Sequence, residues 1–311
     1  MIKEKRTIRI LMAVYNGEKY IREQMDSILN QTEQDWQLIV SDDESTDHTP
    51  NIVKEYVRNH PDRISFIAQP HRFGNPKDHF MALLKQTDAD YYFFSDQDDV
   101  WAPEKVETLM DRMYKGEDEH GKDFPLLVFS DLMPVNEDKE TIAPSLMRYQ
   151  KQYFLDFDWR SILLSNVVTG GSMLANRSLV QKALCCSDQK YILMHDWWLA
   201  LVAAKFGRII YIDQSLGLYR QHNNNAVGAK DVSSAFYFSD KVAHLKEVSL
   251  SLQNKKKQAN VFHETFRDQL TEDDELFLNS FVKKRSGPAF YWKNRKLIHS
   301  FSRLAGMMIL G

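Results

Sequence analysis

The sequence predicts an α/β fold: a largely parallel sheet covered on both faces by helices. Two observations predict it. Short apolar, β-branched-rich runs alternate with amphipathic helical patterns through the first hundred residues, and each polar cluster falls where an apolar run stops. In such sheets ligands bind beyond the carboxyl ends of the strands.

Taken in order, Ile8 to Val14 reads as a buried strand that ends in a loop at Asn16 and Gly17. Glu18 to Gln31 shows Ile21, Met25, Ile28 and Leu29 at helical spacing. Trp36 to Val40 is a second strand running into SDDESTD, and Ile52, Val53, Tyr56 and Val57 mark the next helix. Ile64 to Ala68 is a third strand, Phe80 to Leu84 lies on a third helix, and Tyr91 to Phe94 is a fourth strand, with a helix starting near Pro103. The second half is less regular. Leu126 to Phe129 reads as a strand, Trp159 to Leu164 as a short helix, and Val167 to Leu174 as a glycine-interrupted segment. Asp196 to Phe206 reads as a helix, and Ile209 to Ile212 with Leu216 to Tyr219 as a strand pair around Asp213 and Gln214. After about Ala229 the composition turns polar and lysine-rich, which places a boundary there and helices beyond it.

With 311 residues, 43% hydrophobic and 27% charged, the chain has material for one large domain, or one domain plus an appendage. The net charge is −3; seven basic residues and no acid lie between Asn279 and Gly311, which leaves −10 on the remainder. Tail and body therefore suit different partners. Between Phe290 and Leu310, residues Leu297, Ile298, Phe301, Leu304, Ala305 and Met308 recur at helical spacing among Lys293, Lys296 and Arg303. That pattern suits a membrane surface, or docking on the protein itself. Cys185 and Cys186 are adjacent, a spacing that favours buried thiols in a reducing compartment over a disulfide or a metal clasp. No apolar run approaches the roughly 18 residues of a membrane span, and no apolar leader follows Met1 to Arg9. The expectation is a cytoplasmic protein able to touch the membrane's inner face.

The segment FFSDQDDVW carries the most chemistry. An apolar run delivers Asp96, Asp98 and Asp99 to a single turn, where each raises the cost of ionising the next unless a cation sits between them. Hard oxygen ligands suit Mg²⁺ or Mn²⁺, which also reach for phosphates. A solvated acidic turn capping the following helix is the plainer alternative. AVYNG offers backbone groups and the Tyr15 ring to a flat ligand. Asp42 and Asp43, followed by Ser45, Thr46 and Asp47, offer acceptors to a nucleobase imide or ribose hydroxyls, and Thr46 or Asp47 also suits an N-cap. There is no GxGxxG after the first strand and no GxxxxGK[ST] anywhere, which counts against dinucleotide oxidoreductases and P-loop NTPases.

A last cluster joins Gly170, Gly171 and Ser172, then His195 to Trp198, then Arg220 to His222. Asp196 at a helix start could serve as a general base, with Trp197 and Trp198 as a sugar platform; equally, Asp196 could cap the helix while the tryptophans pack in the core. His222 could supply an imidazole to a metal or phosphate, although a lone histidine is more often structural.

FSDQDDVW, with VSDDESTD upstream and HDWW and YRQH downstream, resembles the inverting family-2 glycosyltransferases of the GT-A fold, in particular bacterial rhamnosyltransferase-like members. The resemblance runs from Ile8 to Gly228 and is specific as a set of motifs. It implies a catalytic domain over 1–229, with a nucleotide-sugar half to about 130 and an acceptor half from 131, and a helical extension over 230–311. It implies that Ala13, Tyr15, Asp42, Asp43 and Asp96 contact the nucleotide, that Asp98 binds a divalent cation supported by His222, and that Asp196 is the base. Gly171, Ser172, Trp197 and Trp198 are expected on the acceptor side. The donor would be a dTDP- or UDP-sugar, the acceptor a saccharide or lipid-linked saccharide, with no nucleic acid. Two glycines usual in the family are replaced, by Glu44 in the DDGSTD pattern and by Asn223 after RQH, and His195 stands where an acidic neighbour is more usual. A nucleotidyltransferase would be expected to carry a glycine-rich, basic loop near the first strand, of which GEKY is a poor version. A non-catalytic saccharide-binding protein is the rival of another class.

Overall fold

Eight strands form one sheet in the order β3-β2-β1-β4-β7-β6-β8-β5. They are β1 (Ile8–Val14), β2 (Gln37–Asp42), β3 (Ile64–Ile67), β4 (Tyr91–Ser95), β5 (Val100–Trp101), β6 (Leu126–Val135), β7 (Met173–Asn176) and β8 (Arg208–Arg220). The structure is a computed structural model and describes residues 6–152, 157–222, 245–283 and 287–298. β1 pairs in parallel with β2 and β4, and β2 with β3. The chain thus leaves β1 first to one side and later to the other, which opens a crevice at the carboxyl ends of β1 and β4.

Alternation along β1 explains how the sheet is covered. Ile8, Ile10, Met12 and Val14 enter a core with Met25 of α1 (Ile21–Leu29), Ile52 of α2 (Thr49–Asn59) and Leu109 of α4 (Lys105–His120). Leu11 enters the opposite core with Phe80 of α3 (Pro76–Gln86). The helices start where local chemistry dictates: Asn75 accepts from the Asp78 N–H at 2.8 Å, and Pro76 follows where no intrahelical donor is needed.

The second half departs from strict alternation. After α5 (Leu146–Tyr149) and α6 (Trp159–Leu164), β7 runs antiparallel between β4 and β6, and α7 (Arg177–Leu184) and α8 (His195–Phe206) follow. The expected strand pair around Asp213 and Gln214 is instead one strand, β8. It runs parallel to β6, with a register shift that sets Ser130 against Ile212 and Asp131 against Ser215. Asp213 and Gln214 are the extra residues of a bulge, where a polar pair reads from sequence like a turn.

Helices α9 (Leu245–Phe266), α10 (Glu272–Val282) and α11 (Gly287–Lys293) lie beyond the expected boundary, which itself falls outside the described residues. Ala259, Phe262, Phe281 and Tyr291 are buried in the same core as Trp159 and Trp198. Leu297 and Ile298 pack on that core too, so the described part of the tail docks on the protein, while Phe301 to Met308 lie outside the described residues, as does Asn223. No described helix is long and apolar enough to cross a membrane. Of the two free thiols Cys186 is buried but Cys185 is exposed, which corrects the expectation of two buried thiols.

Candidate active site

Loops after β1 and β2 interlock at the crevice. The Asn16 N–H donates to Ser45 Oγ and the Thr46 N–H to Asn16 Oδ1, both at 2.8 Å, while the Glu18 N–H donates to Asp47 Oδ2 at 3.0 Å. Asp47 also accepts from the Thr49 N–H at 2.9 Å, at the first residue of α2. Asp42 accepts from the Ser45 N–H at 2.9 Å and from its hydroxyl at 2.5 Å. Asp43 is buried and accepts the Phe73 and Gly74 N–H groups at 2.5 and 2.8 Å, tying the loop after β3 to the site. Ala13 sits half-buried at the end of β1, opposite Ser41. Tyr15 is exposed, with the Arg72 guanidinium 4.4 Å over its ring.

β4 delivers the acidic turn, and Gln97 anchors it. Its amide accepts from the Tyr15 N–H and donates to the Tyr15 carbonyl, both at 2.8 Å, so the β1 loop and the DQD turn are clasped through one side chain. Sequence reading assigns Gln97 no role; its only signal is a two-way hydrogen-bonding amide placed between two aspartates. Asp98 Oδ2 lies 2.7 Å from His222 Nε2, whose ring stacks on Tyr20 at 5.1 Å. Arg220 is buried; its Nε donates to the Asp98 carbonyl at 2.9 Å and its Nη1 to the Glu137 carbonyl at 2.7 Å, and it pairs with Glu23. YRQH therefore supplies both a clamp beneath the acidic turn and the imidazole beside it.

Asp196 lies in the first turn of α8, and its Oδ2 accepts from the Gly170 N–H at 3.0 Å. Two adjacent glycines bring it alongside the acidic turn. A Cβ on Gly171 would stand 2.8 Å from Asp99 Oδ2 and 3.4 Å from Asp96 Oδ2, and one on Gly170 would stand 2.9 Å from His195 Nε2 and 3.8 Å from Asp196 Cβ. The turn must lack side chains for the carboxylates to approach this closely. Burial, followed by the charges of Asp98 and Asp196, pushes Asp96 up to about 7, and burial alone pushes Asp196 up to about 7. Asp96 therefore senses Asp98 and Asp196 together, and Tyr219 lies within the field of Asp96, Asp98, Asp99 and Asp196.

Some expected site residues turn inward. Trp198 is fully buried and donates its indole N–H to the Ala183 carbonyl at 3.0 Å, so it is a core residue and not a sugar platform. Trp197 is half-buried and donates its indole N–H to the Ile162 carbonyl at 2.6 Å. Gly171 and Ser172 are buried, and the Ser172 hydroxyl donates to the Thr169 carbonyl, so they shape the site from beneath and present no side chain to an acceptor. His195 is buried against Phe80 and Phe94, at 4.2 and 5.3 Å, and burial holds its pKa down at about 3, so it stays neutral. Asp99 also faces the interior, with the Arg220 N–H 3.4 Å from its Oδ1.

The donor set fits a hard divalent cation. Asp98 and His222 converge, and the raised pKa of Asp96 marks a carboxylate whose ionisation a nearby cation would favour. Among the described residues no three His, Cys, Asp or Glu side chains converge on one point, so the remaining positions would fall to diphosphate oxygens and water.

The crevice, the acidic turn at β4 and the carboxylate of α8 together define a nucleotide-sugar-dependent glycosyltransferase. Residues 9–176 match the family model described as Glycosyl transferase family 2, and the chain belongs to that family, with its GT-A fold. It is 31% identical over 238 residues to a dTDP-rhamnosyl transferase, RfbG, of Shigella flexneri, covering 73% of this chain and 76% of that one. It is 24% identical over 236 residues to an uncharacterized glycosyltransferase of Nostoc, covering 73% and 69%. In fold it is similar to S. aureus TarS in complex with UDP-GlcNAc, at a TM-score of 0.54 and 17% identity over 98% of this chain and 90% of that one. A mannosyltransferase of Pyrobaculum calidifontis in complex with GDP-Man and Mn²⁺ is similar at a TM-score of 0.52 and 14% identity, over 99% and 77%.

Proposed function

We propose that the protein is a metal-dependent, inverting rhamnosyltransferase that moves L-rhamnose from dTDP-rhamnose to a saccharide or lipid-linked saccharide in cell-surface polysaccharide synthesis. One observation carries the mechanism: Asp196 and Asp96 flank the same Gly170–Gly171 turn, near enough for the charge of Asp196 to act on Asp96. The choice of sugar is supported by the identity to the Shigella enzyme.

Ala13, Tyr15, Asp42 and Asp43 line the nucleotide end of the crevice, and Asp96 and Asp98 lie toward the diphosphate. A divalent cation held by Asp98 with His222 would neutralise charge growing on the diphosphate. Asp196 takes the proton of the acceptor hydroxyl as that oxygen attacks the anomeric carbon from the face opposite the nucleotide. The new C–O bond forms as the bond to the diphosphate breaks, so one displacement inverts the configuration. No Ser or Cys nucleophile is required. The stretch beyond Ile298, apolar in composition with Arg303 as its one Lys or Arg, is read together with Lys293 and Lys296 as a contact with an anionic membrane surface near a lipid-linked acceptor. Liposome flotation of the full chain against one ending at Ile298 tests that contact, and equal flotation removes it.

Incubation with dTDP-, UDP- and GDP-sugars, with Mn²⁺ or with EDTA, followed by assay of free nucleoside diphosphate, tests the whole reading. The expected result is release of dTDP from dTDP-rhamnose that EDTA abolishes. Release that survives EDTA removes the cation, and release from another donor alone replaces the sugar. No release from any donor returns the protein to the saccharide-binding class.

A further inference from the structure

Lys105 is fully buried at the start of α4, beneath the acidic turn. An ammonium in a protein interior is costly unless its surroundings compensate it, so its neighbours are informative. Its Nζ donates to the Gly171 carbonyl and lies 4.1 Å over the Trp101 ring; burial lowers its pKa to about 7, against the pull of Asp99 and Asp96. Gly171 and Gly170 form one short turn: the Gly171 carbonyl takes the lysine, and the Gly170 N–H donates to Asp196 Oδ2 at 3.0 Å. The ammonium and the carboxylate of the base are thus joined through a single backbone turn, which the Ser172 hydroxyl closes at its far end on the Thr169 carbonyl.

We propose that Lys105 is a positioning residue for transfer: from beneath the site it holds the Gly170–Gly171 turn, and through that turn it aims the Asp196 carboxylate at the acceptor oxygen. The role rests on the glycosyltransferase reading above. Trp101 fixes the ammonium from one side and the carbonyl from the other, so the turn has a defended position before any ligand arrives. Without the ammonium, the turn keeps the bonds of Ser172 to the Thr169 carbonyl and of the Met173 N–H to the Gly170 carbonyl, but the Gly171 carbonyl loses its donor and the two glycines can shift by the fraction of an ångström that re-aims the Gly170 N–H. Asp98 and His222 are held instead by each other, with Arg220 on the Asp98 carbonyl and Tyr20 stacked on the imidazole. Losing Lys105 therefore moves the base; it also takes a counter-charge from Asp96, while the Asp98–His222 pair keeps its own contacts.

The test compares the full-length wild type with Lys105→Met, which keeps the bulk of the stem and removes the charge and donor. Two quantities are read: the maximal rate of nucleotide release from dTDP-rhamnose, or from whichever donor the wild type turns over, and the affinity for dTDP with Mn²⁺ by calorimetry. The expected result is a rate about 30- to 100-fold lower, the scale of a small misplacement of a reacting group, with the affinity held within about threefold. A rate near that of the wild type overturns the role, as does a parallel fall of rate and affinity, which marks a merely structural ion. If Lys105→Met does not fold, Lys105→Gln is measured by the same criteria, because its amide stays polar but falls short of the Gly171 carbonyl. A wild type that releases nucleotide from no donor defeats the enzymatic reading itself; an active wild type with an equally active variant defeats only the part given to Lys105.

Discussion

Carboxylates on the two sides of the crevice live in opposite conditions. On the side of the loops after β1 and β2, Asp42 and Asp43 accept hydrogen bonds from the Ser45, Phe73 and Gly74 backbones, and Asp47 from those of Glu18 and Thr49. On the side of the acidic turn, Asp96 is desolvated and feels the charges of Asp98 and Asp196, and Asp196, despite its contacts with the Gly170 and Trp197 N–H groups, is raised to about 7 by burial. The first group is consumed in building loops. The second is left electrostatically unfinished, as a site must be if a cation and a proton are to enter it.

The sharpest way to break this contrast is to neutralise the base. Asp196→Asn is expected to lower turnover by ~10²- to 10⁴-fold while dTDP affinity stays near that of the wild type. Retained turnover would take Asp196 out of the mechanism. The same residue sets a pH signature. Burial disfavours its ionised form, and only that form accepts a proton, so the wild-type rate should fall as pH drops below about 7. A rate that stays flat down to pH 5 would mean that another group accepts the proton.

Smaller effects distinguish the two sides by the sign of a stability change. Asp43→Asn keeps one carbonyl acceptor and turns the other into a donor facing an N–H, so it should lose about 1–3 kcal/mol in urea unfolding. Asp96→Asn should gain about 1 kcal/mol at pH 8 in the metal-free protein while losing activity. The sign follows from linkage. The folded state holds the Asp96 proton up to about 7 and the unfolded chain only to about 4, so stability falls as pH rises between them and the whole penalty is present at pH 8. If both variants are destabilised alike, the contrast between built loops and a strained site is lost.

The same division decides what could be read from sequence. In the first half each strand is an apolar run and each helix carries one apolar face, so period alone places β1 to β4 and the clusters at their ends. Past β4, pairing is non-local. β7 is a four-residue strand inserted antiparallel between β4 and β6, and the bulge at Asp213 and Gln214 resembles a turn in any local window. Site residues divide in the same way. Asp96, Asp98 and Asp196 stand out because clustered or helix-capping carboxylates are chemically conspicuous. Gln97 and Lys105 do not, because their roles are contacts with the Tyr15 backbone and the Gly171 carbonyl that no spacing rule encodes. Trp198 reads as a platform because a tryptophan beside a carboxylate has the right chemistry; the phase of α8, which only packing reveals, turns it into the core.

The smallest expected effect lies at Glu44, on the loop side. Its backbone has φ +61°, in the left-handed region, and its side chain is exposed. That conformation costs a residue with a Cβ about 1 kcal/mol, whereas glycine adopts it without strain but loses more entropy on folding. Relief of strain and loss of entropy oppose each other, so Glu44→Gly should raise stability by no more than about 1 kcal/mol. Because Asp42 and Asp43 are held by bonds to Ser45, Phe73 and Gly74 and none to Glu44, dTDP affinity should not change. Urea unfolding and calorimetry on the same preparation read both quantities. A clear loss of stability would mean that the glutamate is itself part of the built loop, and would extend the hydrogen-bonded side of the crevice by one more acidic residue.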